Sequence, residues 1–216
     1  DNQKNFDKHH GNTFYEMYSH QVVNVCYDKM NETAYDYDED IVADFKKNGY
    51  VNYGSKNYVW FHLMGQHFAF ADKCPNDKKV FQIKDIKRTD GYLTNEMKQV
   101  IADYDNAVHY NDEVLKSIID LFRNTNSVLV FISDHGEEAY DYRAKTSRPA
   151  METGLESEYA HCQYDVPLFV WCSDQYLKKH KDVIKELKSS KGHSSMSDKI
   201  GYSMLRLAQV KTKYYL

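Results

Sequence analysis

Three short apolar runs constrain this chain more than any other feature. "KNYVWFHL" (Lys56 to Leu63), "SVLVFIS" (Ser127 to Ser133) and "VPLFVWC" (Val166 to Cys172) are rich in β-branched and aromatic residues and too short for typical helices, which predicts strands. Their apolar residues are consecutive rather than alternating, the pattern of strands covered on both faces in a parallel sheet. Between the first two runs, Met97, Val100, Ile101, Tyr104, Val108, Leu115, Ile118, Ile119 and Phe122 recur at helical spacing. This predicts one long amphipathic helix, starting after Thr94 and ending in the turn-forming "RNTN". "DYDEDIVADFKKN", "SDQYLKKHKDVIKELKSS" and "SMSDKIGYSMLRLAQ" fit shorter helices. The succession predicts α/β layering around a mostly parallel sheet, with the three strands adjacent or nearly so.

A chain of 216 residues with 42% hydrophobic content buries one sizeable core, so a single domain over 1–216 is expected. The net charge is −4 and the lysines are scattered, which excludes the basic stripe of a nucleic-acid binder. No apolar stretch approaches the ~20 residues of a membrane-spanning helix, and "DNQKNFDKHH" has no signal-peptide apolar region. The chain as it stands is expected to be soluble. Cys26, Cys74, Cys162 and Cys172 show no CxxC spacing, which argues against a cysteine zinc knuckle. Cys172, inside an apolar run, is read as a buried free thiol, and the pairing of the four stays open.

In open α/β sheets, ligands bind outside the carboxyl ends of strands. Gly65-Gln66-His67 and Asp134-His135-Gly136 stand at two such ends, so both are expected on one rim, within roughly 10 Å of each other. Asp134 and His135 leave their strand together, and one oxygen and one nitrogen can hold Zn²⁺ at about 2.0–2.2 Å. Solvated polar residues at a strand end are the alternative for an isolated Asp-His pair. Gly136 allows a sharp backbone turn.

Taken in order, "FHLMGQH", "YDNAVHYNDEVL", "VLVFISDHGEEAYDYR" and "VPLFVWCSDQY" resemble the sulfatase-like branch of the alkaline phosphatase superfamily, and within it the bacterial phosphoethanolamine transferases. The likeness runs from about Asn2 to Tyr215. It implies a three-layer α/β sandwich with a mostly parallel sheet, here incomplete at its N-terminus, in an enzyme anchored in the inner membrane and facing the periplasm. It implies transfer of phosphoethanolamine from phosphatidylethanolamine, the phospholipid donor, to lipid A or another envelope glycan acceptor. "HLMGQH" matches H-x-M-G-x-H, whose second histidine contacts the phosphoryl substrate, a role that falls to His67. "SDHGE" matches the metal motif, making Asp134 and His135 zinc ligands. Asp105 and Asn106 in the helix motif are read as a solvated face, with bracing of the sheet-edge loops as the alternative.

The departures from that pattern are equally specific. The family's acidic zinc ligand and threonine nucleophile precede the region where this chain begins, and "DNQ" resembles the end of its "S-N-Q" strand. No catalytic nucleophile is therefore assigned here; it is expected upstream of Asp1, and Thr13 and Thr33 are read as ordinary surface residues. Many relatives carry a histidine soon after "HGEE-x-YD", whereas this chain has none until His161. Two readings of His161 stand, one reaching the substrate pocket from a longer loop and one facing solvent. His193 is read as a loop residue before a serine-capped last helix.

In the complete enzyme the resemblance implies, zinc would activate the threonine hydroxyl and polarise the phosphoryl group. His67 would donate to a non-bridging oxygen. Glu137 and Glu138 are read as supporting the metal residues or solvating the loop. This chain alone is expected to bind zinc weakly and to be inactive. The rivals are a sulfatase or phosphodiesterase on the same fold, and a non-catalytic remnant lacking the nucleophile.

Overall fold

The computed structural model describes residues 36–49, 57–148 and 157–211. The chain divides into two compact units, Asp1–Ser117 and Ile118–Leu216. Thr13, Thr33, Cys26 and Lys56 lie outside the described residues.

In the first unit, α1 (Asp38–Asp44) runs into a π-helical turn at Phe45–Gly49. Three acids in its first turn, Asp38, Glu39 and Asp40, suit the positive end of the helix dipole, and Asp40 accepts the Tyr37 backbone N–H. Ile41, Val42 and Phe45 are buried, with Phe45 edge-on to Phe61 at 5.1 Å between ring centroids. Residues 57–63 are not a regular strand: Tyr58 and His62 each form only an isolated ladder bridge. From there to residue 94 the backbone is irregular apart from single 3-10 turns at Phe70–Asp72, Asn76–Lys78 and Ile83–Asp85.

The long helix α2 spans Asn95–Phe122, and the Thr94 hydroxyl accepts the Met97 N–H at its start, as its sequence indicates. Its buried stripe matches the apolar spacing in part: Ile101, Leu115 and Ile118 are buried as expected, joined by Ala102, Asn106, Ala107, Tyr110, Asn111 and Val114, whereas Val108 is 42% exposed. Asn106 corrects the solvated-face reading. At 1% exposure it accepts hydrogen bonds from Val80 N–H (2.7 Å) and Phe81 N–H (2.8 Å), and its amide donates to Phe81 O (2.9 Å). A buried amide with three backbone partners is satisfied, and it holds an irregular segment that has no sheet to bond with.

In the second unit, β1 (Val128–Ile132) pairs with β4 (Leu168–Cys172), and the short β2 (Glu138–Ala139) pairs with β3 (Thr146–Ser147). Both pairings are antiparallel, which departs from the mostly parallel sheet expected. The register gives the reason. Ile132, last in β1, faces Leu168, first in β4, so the excursion over 133–167 leaves and re-enters at one end of the pair. The apolar run did not report direction, and it overstated cover: Leu168 and Phe169 are exposed, so these strands are not buried on both faces. The excursion contains the β2–β3 hairpin and helix α3 (Ser157–Tyr164).

Ser173 then closes the sheet end. It bonds through its N–H to Ser127 O, accepts the Ser127 N–H on its hydroxyl, and with that oxygen caps α4 (Asp174–Lys179) at Tyr176 N–H. The stretch expected as one helix breaks at His180 into α4 and α5 (Lys181–Ser190). The last helix is α6 (Ile200–Leu207), entered through a 3-10 turn at Ser197–Lys199. His193 precedes it in irregular backbone as expected, but Met196 and not a serine stands at the start of that turn. Cys74 and Cys172 are free thiols; Cys74 is buried and Cys172 only half-buried. Among the described residues no helix is long and apolar enough to cross a membrane.

Candidate functional site

Beyond Ile132 the chain turns within three residues. Ser133 Oγ donates to His135 O (2.6 Å), and the His135 N–H donates to Asp134 Oδ1 (3.0 Å). Gly136 then meets the C-terminal end of α3: its N–H donates to Gln163 O (2.9 Å), and a Cβ placed on it would lie 2.2 Å from Cys162 O. Only glycine fits that approach.

His135 Nδ1 lies 2.9 Å from Gly136 O. A carbonyl oxygen only accepts, so in the neutral ring Nδ1 carries the hydrogen and Nε2 presents its lone pair. Asp134 Oδ1 stands 3.6 Å from that Nε2, too far for a hydrogen bond. Two ligands at ~2.1 Å from a tetrahedral zinc are separated by roughly 3.4 Å, so the spacing suits one shared metal ion. The Asp134 side chain is 83% exposed and that of His135 22%, which leaves the oxygen side of the pair open to an incoming group.

Neither following glutamate solvates the loop. Glu137 has Oε1 3.7 Å from His135 Nδ1 and 3.4 Å from Arg148 Nε, while its Oε2 is buried with no hydrogen-bond partner. Glu137 thus stands on the Nδ1 side of the His135 ring, not on the Nε2 side that faces Asp134. Glu138 is 0% exposed and takes a two-pronged bond from Arg143, Nε to Oε1 at 2.7 Å and Nη2 to Oε2 at 2.8 Å. His161 sits in helix α3, not in a loop; its side chain is 69% exposed and its Nδ1 lies 2.6 Å from Asp165 Oδ2. Burial pushes the neighbouring Cys162 thiol up, with Asp141 and Glu138 adding to the shift.

His67 belongs to the first unit. The buried Asp38 of α1 accepts Met64 N–H at 2.9 Å and Gly65 N–H at 2.8 Å, one on each carboxylate oxygen. Gly65 adopts φ +49°, and the turn closes with His67 N–H donating to Met64 O. The exposed His67 directs Nδ1 at Phe68 O (2.7 Å), so Nε2 is again the free nitrogen. His62, first histidine of the same motif, has a buried Nδ1 without a partner. Sequence reasoning missed Asp38, Arg143 and Gln163. Only Arg143, five residues after Glu138 in "EEAYDYR", carried a visible charge signal.

The sulfatase family matches residues 1–210, nearly the whole chain. The chain belongs to the sulfatase family. Among its relatives is the phosphoethanolamine transferase EptC of Escherichia coli O18:K1:H7, 29% identical over 78% of this chain and 29% of that protein. Another is the phosphoethanolamine transferase CptA of Salmonella typhimurium, 30% identical over 88% of this chain and 33% of that protein. The chain thus spans about a third or less of the length of these curated relatives. The C-terminal periplasmic domain of EptC from Escherichia coli, solved in complex with Zn, is similar with a TM-score of 0.57 and 27% identity, over 79% of this chain and 47% of that one. The fold is sulfatase-like. Among the described residues no three His, Cys, Asp or Glu gather as a metal group.

Proposed function

We propose that this chain is the metal-binding portion of a zinc-dependent phosphoethanolamine transferase, carrying phosphoethanolamine from phosphatidylethanolamine to lipid A or another envelope glycan at the periplasmic face of the inner membrane. The observation that carries the reading is the 3.6 Å separation of Asp134 Oδ1 and His135 Nε2 at the end of β1, with Nδ1 already occupied by Gly136 O. Relatives named as phosphoethanolamine transferases support the reaction class, and one named as a Kdo(2)-lipid A phosphoethanolamine 7''-transferase supports the acceptor class. The three-layer sandwich is part of the proposal.

Asp134 and His135 supply two of the three protein ligands that a catalytic zinc normally takes. The resemblance calls for a third ligand and a threonine nucleophile besides them. Bound zinc supplies Lewis-acid polarisation and a more acidic hydroxyl. His67 is assigned to the phosphoryl oxygens. With Nδ1 bonded to Phe68 O, Nε2 is the nitrogen left for that contact. His161 is assigned to the edge of the substrate pocket, beside the Gly136 contact.

The test is metal analysis and transfer assays on the full-length protein and its Asp134→Ala and His135→Ala variants, with fluorescent phosphatidylethanolamine, a generic phosphodiester and a sulfate ester as substrates. Both variants are expected to lose zinc and transfer together. Retention of stoichiometric zinc by both would remove these residues from the metal site. Turnover of the sulfate ester alone would make the protein a sulfatase.

A further inference from the structure

We infer that Glu138 and Arg143 are positioning residues for His135, acting through helix α3; the inference rests on the zinc reading of His135. The path is continuous. Glu138, fully buried, is gripped by Arg143 and lies 3.4 Å from Gln163 Nε2 of α3. The Arg143 guanidinium stacks 4.1 Å over the ring of Tyr159, one turn earlier on the same helix. One ion pair therefore touches α3 at two points. From that helix, Gln163 O accepts the Gly136 N–H, and Gly136 O in turn accepts His135 Nδ1–H. The position of α3 sets where the Gly136 backbone lies, and the Gly136 carbonyl decides which nitrogen of His135 carries the hydrogen.

Stability alone is a poor reason for such a pair. Two charges withdrawn from water recover little beyond their desolvation cost, and apolar residues of the same volume often do as well. An ion pair has direction, however. The planar fork of Arg143 holds the Glu138 carboxylate in one orientation, which an apolar contact would leave free. Three residues from a metal ligand, that orientation has a use: carbonyl partners of a ligating histidine fix its tautomer, and losing such support typically lowers metal affinity about 10–100-fold.

The experiment uses Glu138→Gln, which keeps shape and removes the charge, and Arg143→Lys, which keeps the charge and removes the fork. Nitrogen-15 shifts of the His135 ring are read in the metal-free 216-residue chain. Zinc affinity is read separately in the full-length protein, by competition with a chelating dye. The wild type is expected to show the Nδ1–H tautomer, and both variants a mixture in which Nε2–H blocks the donor atom. Zinc affinity should fall about 10–100-fold while near-UV circular dichroism stays native. Folded variants with the wild-type tautomer would overturn the inference, and so would loss of folding in both, which would make the pair a purely structural element. If the tautomer shifts but Asp134→Ala leaves zinc binding unchanged, the positioning role stands and the zinc reading falls.

Discussion

Two loops in this molecule present a histidine in the same way and are held by opposite means. In each, Nδ1 bonds the carbonyl of the following residue, Phe68 for His67 and Gly136 for His135, so that Nε2 faces outward. The first loop hangs on a side chain, the buried Asp38 carboxylate taking Met64 and Gly65 N–H. The second rests against main chain, Gly136 N–H on Gln163 O with no room for a Cβ beside Cys162 O. A hold by side chain concentrates its dependence on one acidic residue; a hold by main chain concentrates it on one glycine.

The sharpest way to break that comparison is to add one methyl group to each loop. Gly136→Ala puts a Cβ 2.2 Å from a backbone oxygen, so either the turn or α3 must move. The expected cost is about 3 kcal/mol or more, the upper end for overpacking, with loss of zinc binding in the full-length protein. Gly65→Ala meets nothing closer than Asn111 Nδ2 at 3.6 Å and suffers only its positive φ, an expected cost of about 1 kcal/mol. Urea denaturation of both variants measures the difference; equal costs would dissolve the distinction between the loops.

Asp38→Ala tests the other half. It strands two backbone donors and is expected to cost about 2–3 kcal/mol. Hydrogen exchange at the Met64 and Gly65 amides should accelerate, with the Gly136 amide unaffected. Slow exchange at both amides in the variant would mean that Asp38 does not hold this loop.

The smallest effect lies outside both loops and sets their baseline. Arg206 of α6 bonds Asp182 and Glu186 of α5 at 2.6–3.0 Å, and these hydrogen bonds hold both carboxyls below their usual values. A carboxyl depressed on folding contributes stability above its unfolded value and loses it as pH falls through the folded one. Arg206→Met should therefore flatten the acid limb of Tm against pH as pH falls through and below the ordinary carboxylate range, by a small amount because the cluster is exposed. An unchanged acid limb would show that the contacts add nothing in solution.

Two strands of the second unit and one helix start in the first were legible residue by residue. Val128–Ile132 and Leu168–Cys172 announce themselves as strands, and Thr94 marks the start of α2 by its capping hydroxyl. Helix α3 was not legible: "SEYAHCQY" lacks a clear apolar stripe, and it holds its place by what it touches, Gly136 above all. Asn106 was misread for a related reason. A polar side chain on a helix is usually solvated, and only the return of Val80 and Phe81 to its side, 25 or 26 residues away in sequence, reverses that expectation.

By itself the sequence determined the two apolar strands, the long helix and its start, and the placing of Asp134 and His135 together at a strand end, because these depend on neighbours within a turn or a pleat. Tertiary structure alone decided that the strands run antiparallel, that Asp38 takes the amides of a loop 26 residues away, and that Glu138 and Gln163 meet across 25 residues. Periodicity records which face of an element is apolar, not which distant backbone will arrive there, and such contacts form only once the chain has folded back on itself.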